Sequence, residues 1–220
     1  MAIAYENSLK PSQYTCMLLD QAVKYYSKPS CKSVLDMGVG SGVMLLAAAH
    51  QGVVDLWGID INADAIRASS SLLKISAPQI TPNLLLGDMW APLPEGRQYS
   101  LILANLPHFP GGHHDASRPL GWDGGDGRKT INRLIAGLAG RLESDGAALI
   151  THHDLIGFEA TRSLIIECGL RYETLVEWSV FEPPERMQSV SAQTLESAGA
   201  DIKYYGGYAF MNARILRIFK

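Results

Sequence analysis

Residues 34–49 constrain this chain more than any other stretch. Residues 33–37 suit a short buried strand. Gly38, Gly40 and Gly42 follow at alternate positions, and residues 43–49 are all apolar, as in a buried helix. A strand that ends in a glycine turn and runs into a helix opens a βαβ unit. Glycine has no side chain to block a ligand and tolerates positive φ, so such a turn offers bare backbone for binding. The dinucleotide fingerprint would need a glycine at position 43, and Val43 is not one. What marks this turn is Asp36, two residues before Gly38. A glycine turn in some other α/β domain stays open on these residues alone.

The rest of the chain repeats the strand–helix rhythm. Pro11 and Ser12 start a helix that Lys28, Pro29 and Ser30 break, with Met17, Leu18, Ala22 and Val23 at helical spacing. Residues 54–60 form a second strand. Asp60 closes it about 20 residues beyond the first glycine, where a carboxylate can accept both ribose hydroxyls of a nucleotide. Asn62 and Asp64 compete to cap the next helix, residues 63–74. Residues 83–88 read as a third strand ending in Asp88, and residues 99–104 as a buried fourth strand running into Asn105. Ligands of open α/β sheets bind beyond the carboxyl ends of the strands. The glycine turn, Asp60, Asp88 and Asn105 all fall at such ends. Helices over 131–142 and 158–168, strands over 147–151, 171–178 and 214–219, and an irregular or helical insertion over 183–200 complete the pattern. The alternation predicts a Rossmann-like, doubly wound, mostly parallel seven-stranded sheet with helices on both faces.

Composition removes several classes of function. A formal net charge of −3 without a basic stripe speaks against a nucleic-acid partner. The three cysteines, Cys16, Cys31 and Cys168, make no metal spacing, and their odd number suits a reducing compartment. The adjacent His113 and His114 project differently on most backbones, so no metal site is expected. No apolar run reaches the roughly 18 residues of a membrane span, and the first residues lack a signal-peptide pattern. A cytoplasmic protein without a membrane partner is the expectation. At 220 residues a single domain is expected over 1–220, with residues 1–30 an amino-terminal helical lid and 179–212 a substrate-side insertion.

The acidic-x-Gly-x-Gly-x-Gly turn resembles motif I of the class I S-adenosylmethionine (SAM) methyltransferases. The stretch Asn105, Leu106, Pro107, His108 is similar to the Asn-Pro-Pro-Tyr signature of the HemK-like methyltransferases, which include enzymes acting on the glutamine side chain of translation release factors. Gly58-Ile59-Asp60, Gly87-Asp88, residues 122–127 and residues 215–219 extend the likeness over most of the chain, in the short single-domain form of that group. The resemblance implies SAM as cofactor, held by Asp36, Gly38, Gly40, Gly42, Asp60, Ile61, Asp88, Met89 and Asn105. It implies that Asn105 Oδ1 and the Leu106 carbonyl accept the two N–H bonds of a substrate amide, with an aromatic ring stacked on its plane. Two departures stand out: Leu106 replaces the first proline and His108 the aromatic residue. Tyr14, Thr15, Phe109 and His113 are candidates for the acceptor side.

Methyl transfer requires alignment of a nucleophile with the sulfonium methyl group, and acceptors on an amide N–H favour the positive charge that develops on nitrogen. The altered signature and the aromatic residues of 179–212 favour a small-molecule acceptor slightly over a protein side-chain amide. A SAM-consuming cyclase or lyase is the alternative from another class, and a non-catalytic cofactor-binding partner is disfavoured by the four ligand-facing strand ends.

Overall fold

The computed structural model describes residues 11–110, 127–188, 190–198 and 202–220. The chain enters through α1 (Gln13–Tyr26), whose N-cap Ser12 makes a reciprocal capping box with Thr15. It continues as β1 (Ser33–Met37), α2 (Val43–His50), β2 (Asp55–Asp60), α3 (Ala63–Ser76), β3 (Asn83–Leu86) and β4 (Tyr99–Ala104). Then come α4 (Lys129–Arg141), β5 (Leu142–His153), α5 (Phe158–Glu167) and β6 (Arg171–Glu182). Two short helices, α6 (Pro184–Met187) and α7 (Ala192–Ala198), precede β7 (Lys203–Tyr205) and β8 (Tyr208–Phe219).

The sheet runs β3-β2-β1-β4-β5-β8-β6, with β7 paired to β8. β1 through β5 are mutually parallel, and β8 is antiparallel to both β5 and β6. The alternation of side chains along each strand builds the two faces. Val34, Leu56, Leu101, Leu103 and Leu149 pack under α1, α2 and α3, while Leu35, Ile59, Ile102 and Ile150 pack under α4 and α5. Each fully buried leucine or isoleucine contributes roughly 1.5–3 kcal/mol relative to exposure, so both helical layers are held on. β1 and β4 are almost wholly buried, as central parallel strands must be.

Several strand boundaries differ from the sequence expectation. The third strand stops at Leu86, because Gly87 N–H turns back to the Asp60 carbonyl at 2.9 Å, so Asp88 sits in the turn. β5 begins earlier and runs two residues past Thr151, to His153. β6 continues to Glu182 and the last strand begins at Tyr208, so the two ends of 179–212 are strand, while the described part of 183–200 is helical or irregular as expected, with α6 and α7. The last strand is antiparallel but not an edge: it lies between β5 and β6, and β6 is the edge. The helix N-cap ambiguity resolves to Asn62, whose Oδ1 accepts the Asp64 N–H at 2.9 Å.

Candidate functional site

The glycine turn is shaped by close contact. Gly42 has φ 82° and is the N-cap of α2; a Cβ there would fall 2.6 Å from Ser69 Cβ. Gly38 has φ 80°, and its Cβ would meet Leu106 Cδ2 at 2.9 Å. Leu106 is thus packed against the bare turn, which gives a physical reason for leucine at that position: it joins the carboxyl ends of β4 and β1. Gly38 and Val39 N–H both reach the Ile59 carbonyl, at 2.8 and 2.9 Å.

Asp60, at the end of β2, uses both carboxylate oxygens. Oδ2 accepts Gly40 N–H at 3.0 Å and Oδ1 accepts Asn62 N–H at 2.9 Å. Each oxygen has a further lone pair, so the group still fits a pair of ribose hydroxyls. Ile61 beside it is 55% exposed. Asp36 is buried at 3% exposure and has no hydrogen-bond partner among the described residues. Burial, reinforced by the Asp60 charge, holds its carboxyl well above the usual carboxylate range. A buried carboxyl without a donor suits a cationic group placed at the turn, such as the ammonium of SAM's methionine end.

At the end of β3, Met89 is buried with φ 53°, the one non-glycine residue with positive φ among the described residues. Such backbone is costly and clusters at functional sites. Asp88 is half exposed and ion-paired at 3.0 Å to Arg133 of α4.

The acceptor side is made of side chains. Asn105 follows β4. Its Nδ2 donates to Thr15 Oγ1 of α1 at 3.1 Å, and its Oδ1 accepts from Thr151 Oγ1 of β5 at 3.0 Å. The His108 ring is buried, and its Nδ1 lies 2.6 Å from the Leu106 carbonyl. Since that carbonyl can only accept, Nδ1 carries the proton. Around these lies a cluster of rings: Tyr14 meets His108, His153 and Trp178 at centroid distances of 5.9, 6.2 and 5.8 Å, and Phe109 meets His153 at 5.7 Å. His153 Nδ1 accepts Leu155 N–H, so its Nε2–H donates to Glu182 Oε1 at 3.2 Å. Buried Arg214, bonded to Asp154 and Glu177, fixes the turn that follows β5.

The fold therefore brings Tyr14, Thr15, Asn105, Leu106, His108 and Phe109 to one place, and Asp36, the glycines, Asp60 and Ile61 to the neighbouring strand ends. His113 and His114, with the glycine-rich residues 122–126, lie outside the described residues. Thr151, His153, Trp178 and Glu182 were not among the sequence candidates. Thr151 and His153 close β5, so the strand-end rule that selected Asp60 and Asn105 reaches them once the strand's true end is known. A cavity of about 160 Å³ lined by Tyr25, Lys28, Cys31, Ser100 and Arg217 lies at the opposite, amino-terminal ends of the strands. That is the wrong end for a ligand of this sheet type. No group of metal-ligating side chains is present among the described residues, and no helix there is long and apolar enough to cross a membrane.

A family model described as ribosomal protein L11 methyltransferase (PrmA) matches residues 13–106. A Methanocaldococcus jannaschii protein, named provisionally as a protein N5-glutamine methyltransferase, is 26% identical over 190 residues, which is 84% of this chain and 91% of that one. The release factor glutamine methyltransferase of Bordetella pertussis is 27% identical over 174 residues, 74% of this chain but only 63% of that longer protein. Among solved structures, the E. cuniculi Mtq2–Trm112 complex, described as responsible for methylation of the eRF1 translation termination factor, superposes with a TM-score of 0.60 at 18% identity, covering 97% of this chain and 98% of that one. A Geobacter metallireducens precorrin-6y C5,15-methyltransferase gives 0.57 at 14% identity, with 99% and 95% covered. Both share the fold.

Proposed function

We propose that this chain, a class I SAM-dependent methyltransferase resembling the HemK-like enzymes, methylates a side-chain amide nitrogen of a protein, with glutamine as the acceptor residue. The observation that carries this reading is the Asn105 amide, bonded on both sides at the carboxyl end of β4 and bordered by the ring cluster. The relatives named for glutamine methylation support it and reverse the slight preference for a small molecule drawn from the altered signature. They lend the cyclase or lyase reading no support.

On the cofactor side, Asp60 would hold the ribose, Asp36 the methionine end, and the backbone of Gly38 and Gly40 would line the turn. Asp88 and Met89 would border the adenine, with the carboxylate of Asp88 drawn from Arg133 when the base is present. Bound SAM supplies an electrophilic methyl group on a sulfonium. The protein's own contribution is orientation and charge. A neutral amide nitrogen is a weak nucleophile. Asn105 Oδ1 and the Leu106 carbonyl would each accept one of its N–H bonds, which aligns the lone pair and stabilises the positive charge that grows as the N–C bond forms and the methyl–sulfur bond breaks, with S-adenosylhomocysteine as the leaving group and one N–H proton lost to water. Near-attack positioning of this kind can supply up to about 7–11 kcal/mol. The His108 bond does not close the Leu106 carbonyl, because a carbonyl oxygen has two lone pairs. His108, with its edge set by Tyr14, would flank the amide plane where the family has its aromatic ring. Of the expected lid over 1–30, the described part is α1 (Gln13–Tyr26), which would cover this side, while residues 1–10 lie outside the described residues; the described parts of 179–212 would shape the acceptor entrance.

One observation favours a small-molecule acceptor as the second reading: the short His108 contact makes the Leu106 carbonyl a poorer seat for a primary amide. The test is incubation with SAM and the translation release factor of the same organism, followed by peptide mass spectrometry. The expected result is one added methyl group on a glutamine with S-adenosylhomocysteine as co-product, and its loss in Asn105→Ala, which should still bind SAM. An unmodified release factor beside a methylated metabolite from cell extract would overturn the protein reading in favour of the second.

A further inference from the structure

The Asn105 amide is held one way round. Thr15 Oγ1 accepts the Ser12 backbone N–H at 3.1 Å and the Asn105 Nδ2–H at 3.1 Å, and it lies 3.4 Å from Ser12 Oγ, a contact in which either hydroxyl can donate. On the other side Thr151 is 1% exposed, and among the described residues Asn105 Oδ1 is the sole acceptor for its hydroxyl, at 3.0 Å. If the amide flipped, Nδ2 would face Thr151, and a buried hydroxyl proton would lose its acceptor. Buried donors are rarely left so. Oδ1 therefore points to the β5 side. That is the side of the acceptor pocket: His153, two residues beyond Thr151 on the same face of β5, is part of the ring cluster around His108 and Tyr14.

We propose that Thr151 is a positioning residue for methyl transfer: its hydroxyl keeps the oxygen of Asn105, rather than its NH2 group, toward the N–H of the acceptor. This rests on the reading that Asn105 faces the acceptor. The single hydroxyl makes the difference between an acceptor and a donor at the reacting nitrogen. An NH2 group aimed at a substrate N–H cannot accept it, and it would oppose the positive charge that develops there. Through Thr15, the same clamp ties the first turn of α1 to the site, so the helix cap and the amide are set together.

Three variants separate the claims: Thr151→Val, which keeps the shape and removes the hydroxyl; Thr151→Ser, which restores it; and Asn105→Ala. Each is assayed for SAM affinity by calorimetry and for kcat and KM with the release factor. The Asn105 side-chain NH2 resonances are followed by NMR in 15N-labelled protein and assigned by their absence in Asn105→Ala. The expected result for Thr151→Val is a fall in kcat of roughly 10- to 100-fold, in line with the sensitivity of rates to small misplacements. KM and SAM affinity should stay within about twofold, and the NH2 signals should shift or split into two populations. Thr151→Ser should recover most of the turnover and the single wild-type signal. Full turnover in Thr151→Val with Asn105→Ala inactive would overturn the role of Thr151. Full turnover in Asn105→Ala would overturn the acceptor reading itself. In that case, or if the release factor is not a substrate, unchanged NH2 signals in Thr151→Val would overturn the clamp independently.

Discussion

Around the glycine turn the polar groups that face the cleft are mostly main chain; around Asn105 they are side chains from four distant elements. Asp60 holds two backbone N–H groups, Gly38 and Gly42 are kept bare by packing from Leu106 and Ser69, and Met89 gives its strained backbone to the same rim. Across the cleft, Asn105 depends on Thr15 and Thr151, and Tyr14 on three rings, from the segment after β4, the end of β5 and the interior of β6. Backbone is hard to alter by substitution, so a cleft built from it is suited to a constant ligand. Side chains change one at a time, so an acceptor pocket built from them can be re-specified without rebuilding the fold. Leu106 and His108 are two such changes on an otherwise familiar frame.

If this division holds, damage to one half should leave the other's binding intact. The largest effect is expected from Asp60→Ala. It removes two hydrogen bonds to a charged acceptor, each contributing about 1.5–3 kcal/mol, together with the ribose contacts proposed for it. SAM affinity measured by calorimetry should fall by at least about 100-fold, since 1.4 kcal/mol is tenfold. A loss below threefold would mean that the turn holds its shape and its ligand without this carboxylate.

Tyr14→Ala probes the other half with a smaller expected effect. Ring pairs add about 0.5–1.5 kcal/mol each beyond their burial, and part of that should appear as a roughly tenfold rise in KM for the protein acceptor, with SAM affinity unchanged. A parallel loss of SAM affinity in calorimetry would show that the first turn of α1 serves both ligands and would erase the boundary between the halves.

The same contrast explains what could be read before the structure. Asp36, the three glycines and Asp60 lie within one βαβ unit, where the geometry of strand, turn and helix converts spacing directly into position. Asn105 stood out because it follows an apolar run that can only be a buried strand. Thr15 is legible as an acceptor-side candidate, but its bond to Asn105, ninety residues away, is not, and Thr151, forty-six residues away, carries no local signal at all. Which residues meet there depends on how far β5 runs and on the packing of α1 over β5 and β8, and neither leaves a local signal. β8 escaped for a related reason. Its slot between β5 and β6 is set by long-range antiparallel pairing, and the alternation of residues 214–219 reports only that the strand has two faces.

The smallest and most diagnostic effect concerns Asp36, a buried carboxyl in the backbone-built half with no hydrogen-bond partner among the described residues. Its carboxyl is raised well above the usual range by burial, with the Asp60 charge adding to the shift. The sign follows from linkage. Above the unfolded value near 3.9, the folded chain holds this proton more tightly than the unfolded chain, so the contribution of Asp36 to stability declines as pH rises toward the folded pKa. Below the unfolded value both states are protonated and the contribution is flat. Asp36→Asn removes that decline. At pH 7 the ligand-free variant should melt above wild type, by roughly 2–4 °C for each kcal/mol recovered in a protein of this size, and the two melting curves should converge as pH falls toward 4. If Asp36 holds the methionine end of SAM as proposed, the ligand should close the gap from the other direction, because its ammonium favours the charged carboxylate that only wild type has. Calorimetric melting at pH 4 and pH 7, with and without SAM, reads all four values. A variant less stable than wild type at pH 7 without ligand would place an unseen donor on Asp36, and would make the turn a finished structure rather than one that its cofactor completes.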